Sequence, residues 1–297
     1  MNNKYGFKQG ERFLIINADD LGITEGTNEA IVGLFGSRSI TSSSIMLPCS
    51  YSAEAIQLCR AHDIADVGVH LTLTSGEMQK YTPVYQKRNL HSLVTDDGYF
   101  YQRAADLERN ADPNEVRLEL EAQIEELIQL GIDPTHLDSH GGSIMGLFAG
   151  RDFLEETLDL CLKYRLPFNL PTRIVEQPNF SDEQIKMFKR RIFQAKERKI
   201  ALIDDIIMLP YCYFPAADYD SMKRKLSQLI RSIKPGITQL TVHPSKMTDS
   251  LKAVTGCYAE RELESCLLND PDIKRIFQQE RIQLVSWRDL RDMQRRE

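Results

Sequence analysis

The six cysteines of this chain, Cys49, Cys59, Cys161, Cys212, Cys257 and Cys266, include no C-x-x-C pair and no zinc-ribbon spacing. That lack removes the common cysteine-based metal and redox motifs, and reduced structural thiols are expected. An excess of positive charge is also missing: 37 Lys and Arg stand against 43 Asp and Glu, for a formal net charge of -6. Nucleic acid, whose binding rests on basic patches that neutralise phosphates, is not an expected partner. The densest basic run, Lys186 to Lys199, lies on a helical pattern that also carries Asp182, Glu183 and Glu197 and reads as a solvated helix face. No apolar run approaches the ~20 residues that span a bilayer, so no membrane partner is expected. Met1 to Glu11 is polar and has no apolar core of the secretory kind, which makes cytoplasmic residence the expectation. Repeats and low-complexity segments are absent as well.

What is present is a strict alternation of short apolar runs with longer helical patterns. The runs at Phe13–Asp19, Ile40–Leu47, Asp66–Thr72, Thr135–Ser139, Pro167–Leu170, Ala201–Met208, Ile237–His243 and Ile282–Trp287 read as strands. Helices are expected at Asn28–Ser37, Ala53–Ala61, Pro113–Leu130, Arg151–Tyr164, Asp182–Lys199 and Tyr219–Ile233, and over Glu260–Glu280 with a break near Pro271. In Pro113–Leu130 the apolar residues Val116, Leu120, Ile124, Leu127 and Ile128 recur at helical spacing, and Gly131 ends the pattern. Such alternation implies a parallel sheet. The fold expected is a single (β/α) barrel over residues 1–297, TIM-barrel-like, with seven or eight parallel strands and room for distortion. An open doubly wound sheet is the alternative. The polar, turn-rich stretch 78–112 breaks the rhythm and reads as an insertion, of the kind that is either a functional lid or a disordered loop.

Polar residues gather where the strands end. The first strand delivers Asn17, Asp19 and Asp20 after Phe-Leu-Ile-Ile. Two adjacent carboxylates there are costly to bury unless paired or bound to a metal, although one Asp alone would read as a cap or turn residue. In the third strand the period of two places Gly68, His70, Thr72 and Thr74 on one face. In the fourth, His136, Asp138 and His140 alternate onto one face. Imidazoles and carboxylates in such density are first-row metal ligands or members of a buried hydrogen-bond network. His243, held extended before Pro244, ends a further strand and is placed for acid–base work. His62 and His91 read as exposed, and Asp204 and Asp205 either line a pocket or flank a bend.

The motifs Asn17-Ala-Asp-Asp-Leu-Gly22 with Asn28-Glu-Ala-Ile31, Gly68-Val-His-Leu-Thr-Leu-Thr74, Thr135-His-Leu-Asp-Ser-His140, Val242-His-Pro244 and Ser286-Trp-Arg-Asp-Leu290 occur in this order along nearly the whole chain. Together they resemble the ChbG/YdjC-like carbohydrate deacetylases, which include the HpnK-type enzymes. The resemblance implies a (β/α) barrel that removes N-acetyl groups from amino sugars or short oligosaccharides with one bound divalent metal ion, zinc or magnesium. It implies Asp20, His70 and His140 as metal ligands, Asp19 as general base, and His243 as general acid or oxyanion stabiliser. Many relatives carry further histidines after Asp-Ser-His; here Gly141, Gly142, Ser143 and Ile144 follow, so substrate preference does not carry over.

A small N-acetylated carbohydrate is thus the expected substrate, and a homo-oligomer is as open as a monomer. Two rivals remain. Another metal-dependent barrel hydrolase, such as a deaminase, amidohydrolase or phosphoesterase, would share the site, although amidohydrolases typically open with His-x-His. A non-catalytic sugar-binding protein would keep the pocket without turnover.

Overall fold

The structure is a computed structural model that describes residues 10–76, 78–210 and 218–296. Most of Met1–Glu11, and Cys212, lie outside the described residues. Seven strands form one parallel sheet: β1 Arg12–Leu21, β2 Ser42–Ile45, β3 Val67–Leu71, β4 Leu137–Ser139, β5 Asp205–Met208, β6 Gly236–Val242 and β7 Ile282–Leu284. Their order is β4-β3-β2-β1-β6-β5. β1 is central: β6 pairs along one edge from Arg12 to Ala18, while the other edge is shared by β7, over Arg12 to Leu14, and β2, from Asn17 onward. Parallel neighbours need helical crossovers, which explains the alternation in the sequence. Eleven helices are described: α1 Glu25–Gly36, α2 Ser52–Ala61, α3 Ala104–Asn110, α4 Pro113–Gln129, α5 Leu154–Tyr164, α6 Asp182–Glu197, α7 Tyr219–Arg231, α8 Asp249–Val254, α9 Tyr258–Asn269, α10 Pro271–Gln279 and α11 Trp287–Arg296. Among the described residues no helix is long and apolar enough to cross a membrane.

The barrel is distorted between β4 and β5. The expected strand Pro167–Leu170 is not one. It contributes isolated parallel bridges, Leu137 to Phe168 and Pro171 to Ile203. Pro167 and Pro171 remove two amide donors from this short segment, so a continuous ladder cannot form. The bridges nonetheless carry backbone hydrogen bonds from β4 through 167–172 to Ala201 and Ile203, and from Asp204 to β6. At the other end, the expected strand Ile282–Trp287 stops at Leu284. Ser286 and Asp289 exchange backbone-to-side-chain hydrogen bonds of 2.7 and 3.2 Å, a reciprocal cap that starts α11 at Trp287. The helices α3 and α8 were not expected, whereas Pro271 does separate α9 from α10, at its first position.

Alternation along the strands divides the core. Even positions of β1, Leu14, Ile16 and Ala18, join the large cluster beneath the helices. Odd positions, Phe13 and Ile15, join Ile203, Ile237, Trp287 and Leu290 in a second cluster inside the barrel. Trp287 is fully buried, stacks on His136 at 4.7 Å between centroids and 10° between planes, and donates its indole N–H to Gln239 at 2.9 Å. It plugs the end of the barrel opposite the strand C-termini, so polar side chains further along the same inward faces accumulate at the open end.

The insertion 78–112 is an anchored layer. Tyr81, Leu90, Leu93, Phe100 and Leu107 are buried in the main core. The Glu119 carboxylate of α4 accepts the amides of Val84 and Tyr85, each at 2.9 Å, and Glu115 accepts that of Ser92 at 2.8 Å. Of the cysteines, Cys49, Cys59 and Cys161 are buried free thiols and Cys266 is an exposed one. Cys257 departs from the expectation of reduced thiols, being disulfide-bonded.

Gly68 marks a tight point of the interior. A Cβ there would lie 2.3 Å from His136 Nδ1 and 2.7 Å from the His136 carbonyl oxygen. Gly68→Ala is therefore expected to destabilise the protein by about 1–3 kcal/mol or more through overpacking. Denaturant unfolding checks this, and an unchanged midpoint would contradict the packing described.

Candidate functional site

Successive side chains of a strand point to opposite faces, so Asp19 and Asp20 should diverge. They do not, because β1 carries a bulge at this point. Ala18 pairs with Ser43 and Leu21 with Ile45, three residue steps against two. Asp20 takes the left-handed conformation, φ 66°, and both carboxylates line one cleft. Gly22, at φ 97°, continues the turn; a Cβ there would approach the Ser52 Cα at 3.1 Å. Asn28 of α1 holds the turn by accepting the Gly22 N–H at 2.8 Å.

β3 and β4 pair with His70 opposite Asp138. His70 Nδ1 lies 2.8 Å from Asp138 Oδ1, which directs Nε2 to the cleft, 3.5 Å from Asp20 Oδ1 and 3.8 Å from Asp19 Oδ2. The Ser44 hydroxyl donates to Asp138 Oδ2 at 2.7 Å. Asn17 Nδ2 donates to Asp19 Oδ1 at 2.7 Å. His140 follows β4 in a short 3-10 turn, His140–Gly142, and its Nδ1 is 3.4 Å from Asp20 Oδ1. Its ring meets that of His70 edge-on, 5.2 Å between centroids. The outer oxygen of Asp20, Oδ2, accepts from Arg261 Nη2 at 2.6 Å.

Asp20, His70 and His140 thus offer one oxygen and two nitrogens within 4.8 Å of one another. The separations of 3.4 and 3.5 Å from Asp20 Oδ1 match the edge of a tetrahedron with bonds of about 2.1 Å, the spacing of zinc held by N and O ligands. The donor chemistry also fits, since the hydrogen bond at His70 Nδ1 leaves the Nε2 lone pair for the ion, in a carboxylate–histidine arrangement. A second group, Asp19, His70 and Asp138, meets the same distance criterion. Its Asp138 carboxylate is already engaged, by His70 Nδ1 at 2.8 Å and by the Ser44 hydroxyl at 2.7 Å.

The charges shift one another strongly. Burial raises the Asp19 carboxyl, with Asp138 and Asp20 adding to the rise against His70. Burial would raise Asp20 too, but Arg261 and His140 hold it well below the usual carboxylate range. Asp138 is likewise held low, against burial, by His70 and His136. His70 is raised: burial opposes its charge, but Asp138 and Asp19 outweigh that cost. Burial pushes His243 down to about 4 despite Asp20, and the positive Arg261 and His70 push the same way.

The cleft has a volume of about 460 Å³, within the range of small-molecule sites. Asp19, Asp20, His70, His140 and His243 all line it, as do Gly141 and Gly142, both at positive φ. Met145, Leu147, Ile174, Ile206 and Met208 form an apolar side. His136 lies deeper in the barrel, 3.5 Å from Asp138 Oδ2. Asp204 and Asp205 flank the bend before β5: Asp204 accepts the Ile237 amide at 2.9 Å and Asp205 pairs with Arg173. His62 and His91 are exposed. No described residue of 78–112 lines the cleft.

Sequence reasoning missed Arg261 and Glu264. Both stand on α9, one turn apart, and Glu264 accepts the His243 amide at 2.6 Å. The readable signal was that Glu260, Arg261 and Glu264 occupy the same helical stripe as Leu267 and Leu268, where a surface helix would carry apolar residues.

A family model described as YdjC-like protein matches residues 13–279. A carbohydrate deacetylase of Thermoanaerobacter pseudethanolicus is 27% identical over 276 residues, covering 93% of this chain and 98% of its own length. One of Enterococcus faecalis is 28% identical over 280 residues, covering 93% and 97%. The crystal structure of an Enterococcus faecalis protein named for cellobiose-phosphate cleavage is similar with a TM-score of 0.75 at 26% identity, covering 94% of this chain and 99% of that one.

The position of His243 has a consequence for acid stability. An unfolded histidine protonates near 6.5, the folded one only near 4, so between these values unfolding takes up a proton. In protein stripped of divalent ions, His243 should therefore cost stability as the pH falls from 6.5 to 4. His243→Gln should flatten this part of the profile of urea midpoint against pH. Parallel profiles would mean that the imidazole titrates normally.

Proposed function

The chain belongs to the YdjC-like protein family, and on that premise we propose that it is a hydrolase that removes the N-acetyl group of an amino sugar or short oligosaccharide, using one divalent ion held by Asp20, His70 and His140. The observation that carries the reading is the convergence of Asp20 Oδ1 on His70 Nε2 and His140 Nδ1, at 3.5 and 3.4 Å, beside a second carboxylate in the same cleft. The carbohydrate deacetylases that align over most of their length support the substrate class. Histidine nitrogens favour zinc over magnesium.

When bound, such an ion supplies Lewis acidity to the amide carbonyl and to the attacking water. The remaining work falls to the chain. Arg261 keeps Asp20 ionised and turns Oδ1 toward the two histidines. Asp138 fixes the orientation of His70. Asp19, pinned by Asn17 through one oxygen, takes the proton of the water with the other and passes it to the departing amine nitrogen. Its upward shift, caused by burial, suits a group that must hold that proton between the two transfers. Of the two roles expected for His243, its depressed pKa favours the second: a neutral imidazole donating N–H to the oxyanion. The products are acetate and a free amino sugar.

The name of the Enterococcus faecalis structural relative points to a phosphorylated disaccharide, so chain length and phosphate are variables of the test. Metal analysis of the purified protein, combined with acetate release from N-acetylated mono- and disaccharides with and without phosphate, examines the reading directly. Release of ammonia or phosphate in place of acetate would favour another barrel hydrolase. Asp19→Asn should retain the ion and lose about 10²–10⁴-fold in turnover. His140→Ala should lose the ion, and a stoichiometric ion in that variant would overturn the ligand assignment.

A further inference from the structure

The wall of the cleft that carries Gly141, Gly142, Met145 and Leu147 is a loop between β4 and α5. Its backbone has little regular pairing of its own. Gly141, Gly142, Gly146 and Gly150 all adopt positive φ, and its internal ties are the bonds of Ser143 to His140, Met145 to Gly142, and Phe153 to Ile144. A chain with so many glycines gains no rigidity from its residues and must be held from outside.

It is held from two sides. Glu108 on α3 has no exposure to solvent, and its carboxylate accepts the consecutive amides of Phe148, at 3.2 Å, and Ala149. Gln184 on α6 donates its side-chain amide to the carbonyls of Gly146 and Leu147, at 3.2 and 3.4 Å. A fully buried carboxylate is costly, and these two backbone N–H groups are the partners that compensate Glu108. α3 belongs to the insertion, and its other inward side chains, Leu107 at the core and Ala111 just beyond its end, root it in the barrel.

We propose that the insertion 78–112 is a fixed buttress of the cleft, and that Glu108 is a positioning residue which, through Phe148 and Ala149, sets Leu147 and Met145 and so decides which substrates fit. No described residue of 78–112 lines the cleft. It reaches the glycine-rich wall through the Glu108 carboxylate. The kinetic part of this inference rests on the deacetylase reading; the anchoring part does not.

The experiment compares the parent protein with Glu108→Gln, which sets an amide N–H₂ against one of the two donors, and with Glu108→Ala. Hydrogen–deuterium exchange is followed by mass spectrometry, and ion content, kcat and KM are measured for an accepted acetylated sugar. Exchange over 141–150 should accelerate by about tenfold, the scale of losing one charge-assisted hydrogen bond, while 12–21 and 67–71 are unchanged. KM should rise by about tenfold, with kcat within about twofold and the ion retained. Gln184→Ala, which loosens the same loop from the other side, should move exchange and KM in the same direction. Unchanged exchange over 141–150 in a folded Glu108→Gln protein would overturn the anchoring, and faster exchange with an unaltered KM would overturn the role in substrate selection. If Glu108→Ala does not fold, Glu108→Gln and Gln184→Ala decide. No acetate release by the parent would sink the deacetylase reading, and exchange would still decide whether the insertion anchors the wall.

Discussion

Everything at the open end of this barrel depends on burying the Asp20 carboxylate. A lone buried anion is too costly to keep, and Asp19 stands directly beside it. The bulge in β1 brings the two acids into one cleft where a regular strand would separate them. Partners must then be brought to Asp20, and the fold brings them from three directions: the Arg261 guanidinium from α9, the His70 ring from β3 and the His140 ring from the turn after β4. The division of labour on one carboxylate follows. Oδ2 is tied to a permanent cation, and Oδ1 faces two imidazoles at the spacing of an ion's coordination shell.

The interior behind this site is arranged in layers. Trp287, Phe13 and Ile237 close the far end with apolar volume. Above them His136 fits against the bare Cα of Gly68, and above that Asp138 joins His70, Ser44 and His136. The polar network is therefore anchored to a rigid apolar floor. A histidine ring fixed by such a neighbour needs no ion in order to point into the cleft, which would lower the reorganisation required to bind one. The outer wall is built on the opposite principle, from a glycine-rich loop held by distant side chains.

The local physics of the strands and helices was largely legible. The period of two at Gly68 and His70, the apolar runs of β1 and β6, and the pattern of α4 all appear where their residues predict, whereas β3 ends at Leu71 and His140 falls in the 3-10 turn after β4. The failures have specific causes. Pro167–Leu170 has strand composition, but two prolines deprive it of donors. Trp287 looks like the end of a strand, yet the Ser286–Asp289 cap turns it into the first residue of a helix. For Asp204 and Asp205 the sequence left a pocket and a bend open, and the bend is the outcome: Asp204 accepts the Ile237 amide and Asp205 pairs with Arg173.

The site divides along the same line. The sequence alone determined which residues were candidates for chemistry: alternation along a strand is a local property, so the inward faces bearing His70 and Asp138, and the carboxylates ending β1, can be read one strand at a time. Tertiary structure alone decided that Asp20 turns back into the cleft and that Arg261 and Glu264 arrive from a helix more than 200 residues away in the chain. It also decided that the insertion reaches the cleft wall through Glu108. Those outcomes depend on which elements become neighbours, and neighbours are chosen by the packing of the whole barrel, to which no single stretch of sequence has access.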